Sequence, residues 1–480
     1  MVVGEMIQEK QVVVIGGGPA GYTAAIRAAQ LGKDVMLIEK NRLGGICLNE
    51  GCIPSKTLAY AAAQLKHTDV MKQIGIQFDQ ATMDFEVFRK HRDGVVEQLR
   101  KGVEALCKEN MLEVIYGDAH FLEEDRIAIE RGQQFDIVQF EKAIVATGAS
   151  REMDEVKYER KLSSAHVFHL DEIPETLILA GIDYIVLEAA FAYSSLGTEV
   201  VILMDKKEHF PVDKDIEKEL IRQIKKQKIK FHSGVTDLSL AEDEKAITCT
   251  FRNEKGELNS LTAEYMYVRE GWKGNTESLG LNRIGLLTDQ KGFIKVDQQC
   301  KTNLPSIYAA GDVTGAPLLA IKGIKQGKAA AEAICGIPSE TDFTWIPSVI
   351  HTSPPIAYAG LTEQQAATYG YSIQTGQYRL NGNGYAVLTG KRDGLLKLVK
   401  ESESGRLLGM HIIGEGAIEL ISAGVLGGEM VARDEDFLFP SYPHPSFNEG
   451  ILEAMEDMAG LSIHQKPKKR ELANRVGMRQ

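Results

Sequence analysis

Residues 12–40, VVVIGGGPAGYTAAIRAAQLGKDVMLIEK, begin with a run of β-branched side chains, cross a glycine-rich turn, continue through an Ala-rich stretch and end on a second apolar run. A short continuous apolar run bounded by turn signals predicts a strand buried on both faces, and the Ala-rich stretch predicts the helix joining two parallel strands. The same pattern returns without a gap over residues 177–205, LILAGIDYIVLEAAFAYSSLGTEVVILMD, so that Leu177 matches Val12. Elsewhere AIVATGAS (143–150) predicts a strand ending on Thr147 and Gly148, and KTNLPSIYAAGDVTG (301–315) a short strand running into Gly311 and Asp312, ahead of a helix over 322–334. From Phe343 the spacing changes. The runs GYAVLTG, LLKLVKE and LLGMHIIG predict strands broken by turns, then a helix over 417–432 and a last segment, SYPHPSFNEGILEAMEDM.

The first βαβ unit carries a phosphate-binding fingerprint. Gly16 permits the tight turn, Gly18 lets the backbone approach a pyrophosphate, Gly21 allows close helix packing, and Glu39, ending the second strand, accepts ribose hydroxyls. Strand, helix and terminal acid together predict a dinucleotide site. In the second unit Gly181 keeps the turn, but Asp183 stands in place of Gly18, Val186 in place of Gly21 and Met204 in place of Glu39. Asp183 brings a side chain and a negative charge to the point where a pyrophosphate would meet the helix N-terminus. Val186 needs only small shifts, and Met204 cannot accept a ribose hydroxyl, although Asp205 would reach one if the strand end were displaced. A fold retained with its dinucleotide site lost or remodelled is favoured over ordinary NAD binding. Thr147-Gly148 offers a close approach of backbone to cofactor, and Asp312 an acid able to orient a ribityl or phosphate group.

The chain has 480 residues, enough for about three domains. No apolar run reaches the roughly 18 residues of a membrane-spanning helix, and the first ten residues lack the basic and apolar regions of a signal peptide. Six cysteines are too few for a secreted disulfide framework, so a cytoplasmic location is expected. A net charge of −12 argues against nucleic-acid binding. Only residues 466–479 run basic, as a solvated extension or, alternatively, a dock for an acidic partner.

Cys47 and Cys52 lie just after the first unit, in GGICLNEGCIPSK. In a regular helix, residues five apart are separated by about 7.5 Å along the axis, beyond the roughly 4.4–6.8 Å between Cα atoms that a disulfide tolerates, so bridging them requires an irregular turn. Cys52 then lies near the start of a helix signalled by Pro54, where the helix dipole and Lys56 would favour a thiolate. Two buried thiols and half of a metal site are the plainer alternatives. Cys107, Cys249, Cys300 and Cys335 are scattered singly, so no metal is expected and a redox pair is favoured. His444 has a carboxylate, Glu449, within reach five residues later, a suitable general acid–base pair for thiol chemistry near neutral pH.

These residues resemble the flavoprotein disulfide reductases, and among them the dihydrolipoamide dehydrogenases, over nearly the whole chain. GGICLNEGCIPSK is similar to that family's redox-disulfide signature, and the order of fingerprint, Thr-Gly strand, second βαβ unit, Gly-Asp and terminal His-Pro…Glu is similar too. The resemblance implies an α/β fold with two Rossmann-like dinucleotide-binding domains, of FAD and NAD type, and a C-terminal α+β dimerisation domain. The expected boundaries are 1–150 and 278–342 for the two segments of the FAD domain, 151–277 for the degenerate NAD-type domain, 343–463 for the interface domain and 464–480 for the basic tail. FAD is implied at Gly16, Gly18, Gly21, Glu39, Thr147, Gly148, Gly311 and Asp312. Cys52 is implied as the thiolate facing the flavin, Cys47 as the sulfur that exchanges with substrate, and Lys56, paired with Glu188, as the neighbour of flavin N5. His444, oriented by Glu449, is implied as the base for substrate thiols, acting on the disulfide of the other subunit of an obligate homodimer.

The implied reaction is oxidation of a dihydrolipoyl-type dithiol borne by a lipoyl carrier protein. Alternatives are reduction of another disulfide, small or protein-borne, with a further redox protein as electron partner, or a flavin-binding subunit without turnover. The family's GRxPNT stretch reads GWKGNT (271–276) here, Tyr184 stands where some relatives place an aromatic lid, Ile321 replaces the usual histidine before Lys322, and the usual His-Ala-His-Pro reads Tyr442-Pro443-His444-Pro445. The disulfide half is intact and the pyridine-nucleotide half eroded, which leaves NAD as acceptor an open question.

Overall fold

The computed structural model describes residues 7–79, 81–152 and 158–466; all but the first three residues of the expected basic tail lie outside the described residues. The first βαβ unit runs through β1 (Ile7–Ile15), α1 (Pro19–Gln30) and β2 (Val35–Glu39), followed by α2 (Gly45–Asn49), α3 (Cys52–Gln73) and α4 (Phe85–Glu109). Strands β3 (Glu113–Tyr116), β4 (Asp118–Glu123), β5 (Arg126–Arg131) and β6 (Gln134–Val145) complete a sheet of order β3-β2-β1-β6-β5-β4, with the late strand Ile307–Ala309 parallel to the end of β6. Val12, Val13 and Val14 are fully buried, because both faces of the parallel core are covered: Val12 and Val14 pack against helices that include α1, and Val13 against Phe121, Ile127 and Ile129 of β4 and β5, so no alternation is needed. β1 begins five residues earlier than its apolar run, its polar opening IQEK pairing with Ile137–Phe140 of β6. β6 ends at Val145, two residues before the Thr147-Gly148 turn.

A second seven-stranded sheet contains the repeated unit: strand Thr176–Ala180, helix α5 (Tyr184–Ser195) and strand Glu199–Asp205, parallel to each other. α5 is apolar on nearly every side, with Ile185 to Tyr193 buried and Glu188 the one charged side chain among them, as expected of a helix largely enclosed by its neighbours. One of its neighbours is α3, so this contact ties the second sheet to the cysteine segment. The third sheet is antiparallel, in the order Ser348–Ile350, Ile356–Gly360, Leu407–Gly414, Gly394–Glu401, Ile373–Arg379, and packs against helices Ala417–Glu429 and Glu449–Met458. The fold is α/β, with two Rossmann-like units and a C-terminal α+β unit.

LLKLVKE and LLGMHIIG form strands as expected, but GYAVLTG does not: Gly384–Leu388 is a short helix whose N-cap, Asn383, accepts the Ala386 N–H at 2.9 Å. A short apolar run does not distinguish strand from buried helix, and here the capping side chain decides. Lys397, on the strand Gly394–Glu401, is fully buried, and its ammonium meets Asp213 at 2.8 Å, Asp215 at 2.7 Å and Glu363, joining the third sheet to the second Rossmann unit.

Candidate active site

The turn between β1 and α1 leaves the helix N-terminus open. Gly16 has φ +104°, in the left-handed region, and Gly18 is the N-cap of α1 without any side-chain acceptor. A Cβ on Gly21 would lie 1.8 Å from the Gly16 carbonyl oxygen, so only glycine allows this approach of helix to turn; a Cβ on Gly18 would meet nothing nearer than Gly45 Cα at 3.7 Å. Gly18 therefore faces free space, as a pyrophosphate site requires. Glu39 is pinned by two backbone donors, Gly17 N–H to Oε2 and Asn41 N–H to Oε1, both at 2.7 Å.

Gly16, Gly18 and Glu39 wall a cleft of about 1010 Å³ that continues past Thr147, Gly148, Gly311 and Asp312 to Cys47, Cys52 and Lys56, and on to Asp183 and Tyr184. Asn275 fixes the Thr147-Gly148 turn: its backbone N–H donates to the Gly148 carbonyl at 3.0 Å, its side-chain Nδ2 donates to the Thr147 carbonyl at 2.9 Å, and Thr147 Oγ1 donates to the Asn275 carbonyl at 2.8 Å. Burial pushes the Asp312 carboxyl up from its ordinary range, opposed by the buried ammonium of Lys322. An unobstructed helix N-terminus, an oriented acid and a long cleft reaching a disulfide fit FAD.

Cys47 and Cys52 are joined as a disulfide with Cα atoms 4.6 Å apart. The irregular turn it requires is the break between α2 and α3, where the N–H groups of Glu50 and Gly51 both donate to the Ile46 carbonyl. Cys52 is the first residue of α3, within the field of the helix N-terminus. One turn on, Lys56 lies 2.8 Å from both oxygens of Glu188, which is fully buried on α5 and also accepts the His351 N–H at 3.0 Å. Lys56 thus acts on the cysteines as half of an ion pair, a weaker pull on a thiol than the free cation its sequence position suggests. It also lies 5.9 Å from the centroid of the Tyr184 ring.

His444 Nδ1 is 2.7 Å from Glu449 Oε1, and Glu449 Oε2 accepts the Ser446 N–H at 3.0 Å. Burial raises the Glu449 carboxyl, but the Ser446 N–H and the His444 ring outweigh it and hold the group below its usual range. A carboxylate on Nδ1 selects the tautomer with Nε2 as the free acceptor. The His444 side chain is 78% exposed, and neither His444 nor Glu449 lines the cleft of its own chain.

The second unit repeats the turn with different chemistry. Gly181 has φ +107°, yet the N-cap of α5 is Asp183, whose Oδ1 accepts the Val186 N–H at 2.9 Å. Met204 is packed against the hydrophobic core of this unit. Four residues on, Glu208 does what Glu39 does in the first unit: Oε1 accepts from Ile182 N–H at 3.4 Å, the counterpart of Gly17, and Oε2 accepts from Asp205 N–H at 3.1 Å. The gapless match hides Glu208, because it enters from beyond the strand end. His351 acts through its backbone N–H, which no residue-type signature marks, and Asn275, within the GWKGNT stretch, acts through both its backbone and its side-chain amide on a turn far away in the sequence.

Two family profiles match: one described as pyridine nucleotide-disulphide oxidoreductase over residues 10–327, the other as the dimerisation domain of the same proteins over 346–455. The chain belongs to the pyridine nucleotide-disulphide oxidoreductase family, and it is an oxidoreductase of the dihydrolipoyl dehydrogenase-like type. It is 38% identical to a dihydrolipoyl dehydrogenase of Geobacillus stearothermophilus over 97% of this chain and 99% of that protein, and 38% identical to one of Bacillus subtilis with the same coverage. It is also 36% identical to dihydrolipoyl dehydrogenase 3 of Haloarcula marismortui, over 97% of this chain and all of the other. A solved structure of the HOCl-induced flavoprotein disulfide reductase RclA from Escherichia coli, in complex with Cu(II), shares the fold with a TM-score of 0.83 at 24% identity, covering 94% of this chain and 99% of that one. The family implies FAD, with a pyridine nucleotide as its usual second substrate, and the dimerisation-domain match supports a homodimer. Among the described residues no helix is long and apolar enough to cross a membrane.

Proposed function

We propose that the protein oxidises a dihydrolipoyl-type dithiol through the Cys47–Cys52 disulfide, with FAD held along the cleft by Gly16, Gly18, Gly21, Glu39, Thr147, Gly148, Gly311 and Asp312. The observation that carries this reading is the disulfide in the wall of the same cleft that the glycine cradle and Glu39 open into. When bound, FAD supplies a two-electron acceptor beside the cysteine pair. His444 Nε2, with Nδ1 held by Glu449, takes a proton from one substrate thiol. The resulting thiolate attacks Cys47 Sγ, the Cys47–Cys52 bond breaks, and Cys52 leaves as a thiolate stabilised by the α3 N-terminus. The sulfur of the second substrate thiol then attacks the substrate sulfur of the mixed disulfide, closing the lipoyl ring, while the bond to Cys47 breaks and the departing Cys47 sulfur takes up the second proton as a thiol. Lys56 and Glu188, as an ion pair, keep a fixed positive group in the cleft wall beside Cys52.

Because His444 is exposed and outside its own cleft, the base belongs to the partner subunit's disulfide, and the 343–463 unit forms the dimer interface. Leu426, Met430 and Phe439, exposed apolar side chains of this unit, support that assignment. A swinging lipoyl arm on a carrier protein suits a disulfide at the bottom of a cleft better than a small free disulfide does, and the relatives' names agree with a lipoyl substrate. The segments 1–150 and 278–342 form the FAD domain, and 151–277 the second Rossmann domain. Anaerobic titration of the flavoprotein with dihydrolipoamide tests the reading: the flavin spectrum is expected to respond, and Cys47→Ser to lose dithiol turnover while retaining bound flavin. Turnover surviving in Cys47→Ser would remove the exchange role assigned to that sulfur.

A further inference from the structure

In the first Rossmann unit the donors at the start of α1 meet no side chain, and Gly18 opens them to the cleft. At the corresponding place in the second unit, the Asp183 carboxyl occupies the start of α5 by accepting the Val186 N–H, and it lines the same cleft as the cysteines. The site for the ribose-binding acid is taken by Met204, turned into the core, while the carboxylate that braces the loop, Glu208, is itself engaged. Arg269 holds it: its guanidinium lies 2.8 Å from Glu208 Oε1, and its side chain packs under Gly181, where a Cβ would fall 2.5 Å from Arg269 Cβ. The Arg269 N–H donates to the Ala180 carbonyl at 2.8 Å, so the brace spans the ends of three neighbouring strands.

We infer that Asp183, Glu208 and Arg269 form a built-in lock that closes the second Rossmann unit to pyridine dinucleotides and makes Asp183 the determinant of electron-acceptor specificity. A pyrophosphate would have to displace a carboxylate from the helix N-terminus it needs and then lie beside that negative charge; either alone opposes binding. Glu208 carries backbone bonds of the kind that Glu39 carries, and in addition an ion pair with Arg269 that Glu39 lacks, so its carboxylate is neutralised where a ribose acceptor would stand. The erosion of this half is thus an internal closure with its own hydrogen bonds, distinct from a simple loss of contacts. The NAD-type residues do not fit the nucleotide. The inference rests on the disulfide and FAD reading given above.

The test uses the FAD-loaded protein and two measurements. Equilibrium binding of NADH is followed by calorimetry, and flavin reduction by NADH and by dihydrolipoamide is followed anaerobically in separate stopped-flow runs. The unaltered protein is expected to bind NADH weakly and to be reduced by dihydrolipoamide far faster than by NADH. Asp183→Gly is expected to tighten NADH binding by about tenfold or more and to speed reduction by NADH, with the dihydrolipoamide rate unchanged. Asp183→Asn keeps the cap and removes the charge, so it is expected to fall between the two and guards against a fold lost with the cap. NADH affinity within about twofold of the unaltered protein in both variants, or reduction of the unaltered protein by NADH as fast as by dihydrolipoamide, would overturn the lock. A flavin that fails to respond to dihydrolipoamide would count against the dithiol reading alone, because the calorimetric comparison still decides the lock.

Discussion

The Asp183 carboxyl caps α5 while lying largely out of water, and burial raises it to about 6, with the Val186 N–H and Arg269 opposing and Glu208 adding to the rise. An acid whose folded value exceeds its unfolded value of about 3.9 binds its proton more readily when folded, so ionisation weakens the fold. That penalty is absent below about pH 4 and complete above pH 6. Asparagine serves as an N-cap about as well as aspartate and does not ionise. Asp183→Asn is therefore expected to raise the thermal midpoint at pH 8, by an amount that shrinks as the pH is lowered to 5. Equal midpoints at pH 8 would mean that the ionised carboxylate is better solvated than its burial indicates. A residue that lowers stability at neutral pH, in a cleft beside a disulfide, has the character of a group kept for specificity rather than for folding.

At the level of elements, the same two glycines separate packing from binding. Gly21 faces the Gly16 carbonyl and Gly18 faces open cleft, so an added methyl has a different consequence at each. Gly21→Ala is expected to push α1 off its turn, lowering apoprotein stability by about 1–3 kcal/mol and flavin content with it. Gly18→Ala is expected to lower flavin content alone. Melting of the apoprotein and flavin stoichiometry separate the two, and equal destabilisation would show that Gly18 also packs. β1, α1 and β2 were legible because strand, turn and helix each constrain residue type, and their repeat over 177–205 exposed the altered positions by direct comparison. Gly384–Leu388 was misread as a strand because its five residues carry no period, and only the Asn383 cap settles them. Glu208 was illegible for another reason: a side chain can replace a missing partner from any point of the chain that the fold brings near. Likewise the burial of Lys397, inside the strand pattern LLKLVKE, follows from Asp213 and Asp215 on a distant helix start, which the local pattern cannot show.

For the whole molecule, the proposed reaction is divided between a cleft carrying the disulfide and a separate surface carrying His444, the proposed base, so that neither suffices within one chain. The His444–Glu449 pair is formed and oriented, yet the imidazole stands in the open, away from its own cysteines. An isologous dimer corrects this, since a two-fold axis that brings one His444 to the partner's cleft necessarily completes both sites. The arrangement predicts complementation between inactive variants. Homodimers of Cys47→Ser and of His444→Gln are each expected to be nearly inactive with dihydrolipoamide. A dimer containing one subunit of each has one site with both defects and one with none. Random mixing makes about half of the dimers mixed, so co-expression is expected to restore about a quarter of the unaltered activity, and purification through a tag on each subunit about half. Activity restored in the mixed dimer places the base across the interface. A mixed dimer as inactive as its parents would mean that His444 reaches the disulfide of its own chain by a rearrangement of the 343–463 unit.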